Sequence, residues 1–146
     1  MPVVDHAAYP EALARVVREF ASAPKQLRLP LLLEYAQKLP NPPGEIELEQ
    51  VHECVTPLFL HADVGDDGRV YLHFKAPEEA PTTRGFASVV HAGLNGATPE
   101  EVLATPDDFY MEMGLAELIS PLRLRGMSGM LTRVKRQVRD RIATGA

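Results

Sequence analysis

The chain has 146 residues, 45% of them hydrophobic and 24% charged, an ordinary composition for one soluble domain with its own core. A net charge of −5 and a single cysteine exclude an internal disulfide and argue against nucleic acid as a partner, since basic residues supply most of that affinity. No apolar run approaches the roughly 18 residues that span a bilayer, and the N-terminus lacks the basic and apolar regions of a secretory leader.

The expectation is therefore a single domain over 1–146, cytoplasmic and without a membrane partner. Its charge is uneven. Residues 1–121 carry 8 basic and 19 acidic side chains, while residues 122–146 carry 7 basic and 1 acidic. A basic tail on an acidic body suits an acidic protein surface, where charge sets association rate and specificity.

Leu13, Val16, Val17 and Phe20 recur at helical spacing and predict a helix over about 9–22. Ala23-Pro24 ends it. A second helix buries Leu29, Leu32, Leu33, Ala36 and Leu39, with Pro30 expected in its first turn and Pro40 to Gly44 as its stop. Glu45, Glu47, Glu49 and Glu53 make the next segment acidic. It reads as a solvated loop or an edge strand over 46–53.

The period then changes. Leu58, Leu60, Ala62 and Val64 alternate with Phe59, His61 and Asp63; Val70, Leu72, Phe74 and Ala76 alternate with Tyr71, His73 and Lys75. Gly65 to Arg69 lies between, so the two runs predict a β-hairpin. Thr82 or Thr83 is the expected cap of a helix through Phe86, Val89, Val90 and Leu94. Thr98-Pro99-Glu100-Glu101 is a clean helix start. Another short helix begins near Pro106 and finishes at Gly114. Ser120 caps the last helix, whose apolar face is Met127, Met130, Leu131, Val134, Val138 and Ile142, with Arg133, Arg136 and Arg139 on the other side. Gly126 and Gly129 each cost a helix about 1 kcal/mol relative to Ala, which suggests close approach of another backbone.

Helices, then grouped strands, then helices predict an α+β fold: a small antiparallel sheet of about three strands packed against an N-terminal helix pair and C-terminal helices.

Cys54 sits between the acidic segment and the first strand of the hairpin. It admits two readings: a buried structural thiol, or an exposed and reactive one at a strand end. The acidic residues raise its pKa, whereas a protonated His52 would lower it. His52, His61 and His73 could join Cys54 as metal ligands, but His61 and His73 alternate with apolar residues on the side opposite Leu60 and Leu72, which suits solvent or a covering helix better than a shared site. A thiol hydrolase or peroxidase would pair Cys54 with His52, though nothing in the sequence identifies an orienting group. In a third reading Cys54 is incidental and the basic last helix makes the contacts of an adaptor.

Four stretches together resemble the SufE family: 28–40 (RLPLLLEYAQKLP), 51–60 (VHECVTPLFL), Arg84-Gly85-Phe86 with 94–102 (LNGATPEEV), and 118–127 (LISPLRLRGM) after Gly114-Leu115. Their order and spacing match from about residue 10 to 140. The resemblance implies an α+β fold similar to the IscU-type scaffold. It implies a sulfur acceptor without turnover of its own, which takes persulfide sulfur from a SufS-like cysteine desulfurase onto Cys54, stimulates that enzyme, and passes sulfur toward an Fe–S scaffold. No cofactor is expected in this chain beyond a transient persulfide on Cys54, because pyridoxal phosphate belongs to the partner. Arg123 matches the family's signature arginine near the desulfurase contact, and His52, Glu53, Arg84 and Arg125 complete the expected contact set. The chain departs from the pattern beside the thiol, with Glu53 where glycine is common and Val55 where a small polar residue is common.

Overall fold

The computed structural model describes residues 10–54 and 56–144. Two helices come first, α1 (Glu11–Ser22) and α2 (Lys25–Gln37). A three-stranded antiparallel sheet follows, in the order β1 (Glu49–Gln50), β2 (Phe59–Val64), β3 (Val70–Lys75). Then come α3 (Pro81–Leu94), α4 (Pro99–Ala104), a 3-10 turn (Phe109–Met113) and the long α5 (Pro121–Ala143). The predicted α+β architecture is the observed one.

The sheet is built by alternation. In the hairpin Phe59 pairs with Lys75, His61 with His73, and Val64 with Val70. Leu60, Ala62, Val70, Leu72 and Phe74 therefore share one face and are buried. On the other face His61, Tyr71 and His73 are half-buried. The turn closes with Gly65 N–H donating to Arg69 O at 2.8 Å, and Gly68 takes φ +78°, where glycine is favoured.

β1 pairs with β2 only at Glu49–Leu60 and Gln50–Phe59. It is much shorter than the strand expected over 46–53, because only Ile46, Leu48 and Val51 supply apolar side chains there. Beyond it α5 runs along β2, and Gln137 Oε1 accepts from the buried Ala62 N–H at 2.7 Å. A helix side chain thus does the work of a missing strand.

Helix α3 is the hub. It packs against α1, α2, β3 and α5 and buries Phe86, Ala87, Val89, Val90 and Leu94. Phe86 stacks on Phe109 at 5.7 Å and meets Tyr110 edge-on at 5.8 Å, which anchors the 3-10 turn. One hydrophobic cluster joins the sheet's inner face to α1, α2, α3 and α5.

Several local expectations are corrected. Pro30 lies inside α2, at the sixth residue, and not in its first turn. It is exposed, and so is Gln26, whose carbonyl it leaves without a donor, so water can replace the missing bond. Neither Thr82 nor Thr83 caps α3: Ala80 holds the cap position and Pro81 opens the helix. Thr98 and Glu101 form a full capping box, and Ser120 Oγ accepts from Arg123 N–H at 3.3 Å. Ile142, one turn past the buried Val138, is 48% exposed rather than part of the core. Tyr9, at the expected start of the first helix, lies outside the described residues. No helix among them is long and apolar enough to cross a membrane.

Candidate functional site

Cys54 lies in the connection between β1 and β2. Val51 N–H donates to Leu58 O at 2.8 Å and closes the base of this loop, continuing the β1–β2 ladder. Cys54 N–H donates to Val51 O at 3.2 Å and turns the chain. Val51 and Leu58 are buried beneath it.

The loop rests on α5. Cys54 Sγ stands 3.7 Å from Gly126 O, to which the thiol donates. A Cβ on Gly126 would meet Cys54 Sγ at 3.0 Å and Cys54 Cα at 3.1 Å, and one on Gly129 would meet the Glu53 Cβ and Cδ at 2.9 Å. The two glycines open a flat strip one helical turn long, and residues 53 and 54 occupy it. This is the close backbone approach their sequence positions suggest.

Two side-chain contacts hold the loop on either side of the thiol. Upstream, Arg133 Nε and Nη2 donate to Glu53 Oε1 at 3.1 and 2.7 Å. Arg133 Nη1 also donates to Glu49 Oε2 at 2.6 Å, and Arg136 and Gln137 complete the shell of Glu49. Downstream, the Thr56 and Thr83 hydroxyls are 2.7 Å apart and hydrogen-bonded. The thiol faces a small cleft between α3 and α5, lined by Thr82, Thr83, Phe86, Arg123, Met127 and Met130. Its free volume of about 10 Å³ is room for one water, so no organic substrate fits beside the sulfur as the loop stands.

The thiol is held protonated. Burial pushes its pKa up to about 11; the Glu53 carboxylate pushes the same way and Arg133 opposes. The sequence left the balance between acidic neighbours and His52 open, and the structure adds burial as the largest cause. Glu53 is held below the usual carboxylate range by its hydrogen bond to Arg133, against some burial. For Glu49 burial is the largest influence and raises the pKa, but Arg133, Gln137 and Arg136 together outweigh it and leave the carboxyl lowered.

The expected site residues divide. His52, Glu53 and Cys54 follow one another in the loop, and Arg123 shares the cleft with Cys54. His52 is exposed, and the hydrogen bond the thiol makes among the described residues goes to the Gly126 carbonyl and not to His52. Arg125 is exposed on the first turns of α5. Arg84 lines a different cleft with Leu33, Ala36 and Gln37 of α2, where its guanidinium donates to Ala76 O at 2.7 Å and Ala36 O at 3.4 Å. Among the described residues no group of three or more His, Cys, Asp or Glu side chains is placed to hold a metal ion.

Arg133 escapes a reading of the sequence, which assigns it to the solvated side of the last helix. Its side chain is only 18% exposed. The available signal is spacing: Gly126, Gly129 and Arg133 fall at i, i+3 and i+7 on one helical stripe, the stripe the loop covers. Thr56 and Thr83 carry no such signal.

Comparison with known proteins fits this arrangement. A family model described as SufE, Fe–S metabolism associated domain, matches residues 14–138. An uncharacterised SufE-like protein of Mycobacterium tuberculosis is 56% identical over 137 residues, covering 92% of this chain and 96% of its own length. An uncharacterised SufE-like protein of Synechocystis is 32% identical over 128 residues, 85% of this chain and 78% of that protein. The solution structure of a hypothetical protein from Thermus thermophilus superimposes with a TM-score of 0.86 at 49% identity, covering 92% of this chain and 98% of that one. The chain belongs to the SufE family of Fe–S metabolism associated domains.

Proposed function

We propose that the protein accepts sulfur on Cys54 from the persulfide of a cysteine desulfurase, stimulates that enzyme, and hands the sulfur on toward Fe–S cluster assembly. One observation carries the reading: the chain's only thiol sits on a loop whose cleft is too small for an organic substrate. Such a thiol reacts with a group that another protein brings to it. Family membership supports the same role, and a relative from Plasmodium vivax, 24% identical over 95 residues, is named a cysteine desulfuration protein.

The chemistry is thiol exchange. The Cys54 thiolate attacks the outer sulfur of the donor's persulfide. The new bond joins Cys54 Sγ to that sulfur, and the bond between the donor's two sulfurs breaks. The donor leaves as a thiolate and takes up the proton that Cys54 lost, so no outside oxidant or reductant enters. Held at Gly126 O with a raised pKa, the thiol is a poor nucleophile, and attack requires the loop to move off α5. The exposed His52, Arg123 and Arg125 are the nearest parts of the partner-contact set, with Glu53 available once the loop moves. Arg84 belongs to that set through its position at the start of α3, with its guanidinium occupied by backbone carbonyls. The protein works in the cytoplasm beside the desulfurase and brings no cofactor of its own.

The test is intact mass after incubation with a desulfurase and cysteine. A gain of about 32 Da per sulfur on the wild type, absent from Cys54→Ser, is expected together with faster desulfurase turnover. No adduct with a desulfurase from the same organism removes the proposal.

A further inference from the structure

The loop carrying Cys54 has a fixed base and a detachable tip. The base is the Val51–Leu58 backbone hydrogen bond over two buried side chains, continuous with the sheet. The tip is held from outside the loop by the Glu53–Arg133 ion pair, the Thr56–Thr83 hydroxyl pair and the weak thiol contact to Gly126 O. Of these, the ion pair is the one that joins opposite charges across α5 and the loop.

We propose that the Glu53–Arg133 pair is a catch that holds Cys54 against α5, and that breaking it frees the thiol while the fold stays intact. Glu53 and Arg133 are positioning residues, acting through the loop and not on the sulfur. The proposal deepens the sulfur-acceptor reading, since a catch matters to transfer only if Cys54 accepts sulfur.

The geometry suits a catch rather than a permanent bond. Arg133 uses different nitrogens for its two carboxylates: Nη1 for Glu49, Nε and Nη2 for Glu53. When Glu53 leaves, Arg133 keeps Glu49 at 2.6 Å, so opening strands no unpaired charge in the protein. The Glu53 side chain is already 37% exposed against 18% for Arg133, so the carboxylate is the half that swings into water. Ion pairs as exposed as this one contribute modestly, which keeps opening accessible at ordinary temperature. Residues 53 and 54 are adjacent and lie on one glycine strip, so the side chain of one cannot lift far without the other.

The test needs no partner. The rate at which the neutral reagent iodoacetamide alkylates Cys54 in the full chain is measured by intact mass at fixed pH. Arg133→Gln is the informative variant, because two mechanisms predict opposite signs for it. Without a catch, losing the cation leaves Glu53 unneutralised beside the thiol, disfavours the thiolate and slows alkylation. With a catch, the loop opens more often and alkylation quickens, by about fivefold for a pair of this exposure. A slower or unchanged rate in folded Arg133→Gln overturns the proposal.

Should that variant not fold, Arg133→Lys keeps a cation opposite Glu53 but loses the guanidinium fork that grips its carboxylate through Nε and Nη2. Faster alkylation in Arg133→Lys supports the catch, and a rate equal to wild type overturns it. Loss of the desulfurase-dependent mass gain in wild type, with these alkylation effects intact, would remove the sulfur-acceptor reading and leave the catch standing.

Discussion

Cys54 Sγ and Gly126 O stand 3.7 Å apart, 72 positions apart in the chain, and no side chain larger than hydrogen fits at position 126 without moving the sulfur. The helix carries a glycine in its first two turns for the sake of the loop lying on it.

Gly126→Ala separates these two demands. Helix propensity alone would stabilise the protein by about 1 kcal/mol. The added Cβ meets Sγ at 3.0 Å and Cα at 3.1 Å, and crowding of this kind costs about 1–3 kcal/mol. The expected outcome is a lower Tm together with faster alkylation of Cys54. A higher Tm with unchanged reactivity would show that the loop yields freely.

The raised thiol pKa makes stability depend on alkaline pH. The folded protein keeps its Cys54 proton up to about pH 11, against 9.0 for the unperturbed group. Between those values the unfolded chain has lost the proton and the native state has not, so the thiol's contribution is present below 9.0 and is lost as pH rises toward 11. Thermal melts of wild type and Cys54→Ala across this window isolate the effect, since every other titration is common to both. Wild type should lose Tm faster; parallel curves would mean that the thiol is not buried.

Arg28 should be a stability residue. Its Nε donates to Phe20 O at 3.0 Å and Ala23 O at 3.2 Å, its Nη2 to Ala21 O at 3.2 Å, and its Nη1 to Gly114 O at 3.4 Å. One guanidinium thus closes the C-terminal end of α1 and ties it to the turn after the 3-10 helix. Arg28→Ala should cost about 1–3 kcal/mol in chemical denaturation. Arg28→Lys should recover little, because an ammonium cannot span the same fork of carbonyls.

Gln137→Leu tests the helix that stands in for a strand. It leaves the buried Ala62 N–H without its acceptor at 2.7 Å, a loss of about 1–3 kcal/mol. It also removes the Nε2 donor to Glu49 at 3.0 Å. Amide exchange at Ala62 should rise well above that of its hairpin neighbours, and protection equal to theirs would rule out this role.

Much of the fold is legible along the chain because the interactions that specify it are local. Alternation around Gly65 to Arg69 predicts the hairpin to within a residue at each end. Thr98-Pro99-Glu100-Glu101 predicts its helix and cap, since a capping box is closed within four residues. Thr83 is a poorer case. Its hydroxyl suits a cap, but Thr56 from the loop claims it instead. Pro30 likewise sits deeper in its helix than propensity allows, because an exposed position tolerates the missing donor.

The sequence by itself determined the α+β order of elements, the single thiol at the entrance to the hairpin, and the need for close packing at Gly126 and Gly129. These follow from periodicity, composition and the cost of glycine in a helix, all of which act within a few residues. Only the tertiary structure decided that Cys54 lies against Gly126 O, that Arg133 faces Glu53 and Glu49 across 80 and 84 positions, and that burial dominates the thiol's pKa. The physical reason is that ion pairing and desolvation depend on distance and exclusion of water, and the fold sets both by bringing α5 beneath a loop far from it in the chain.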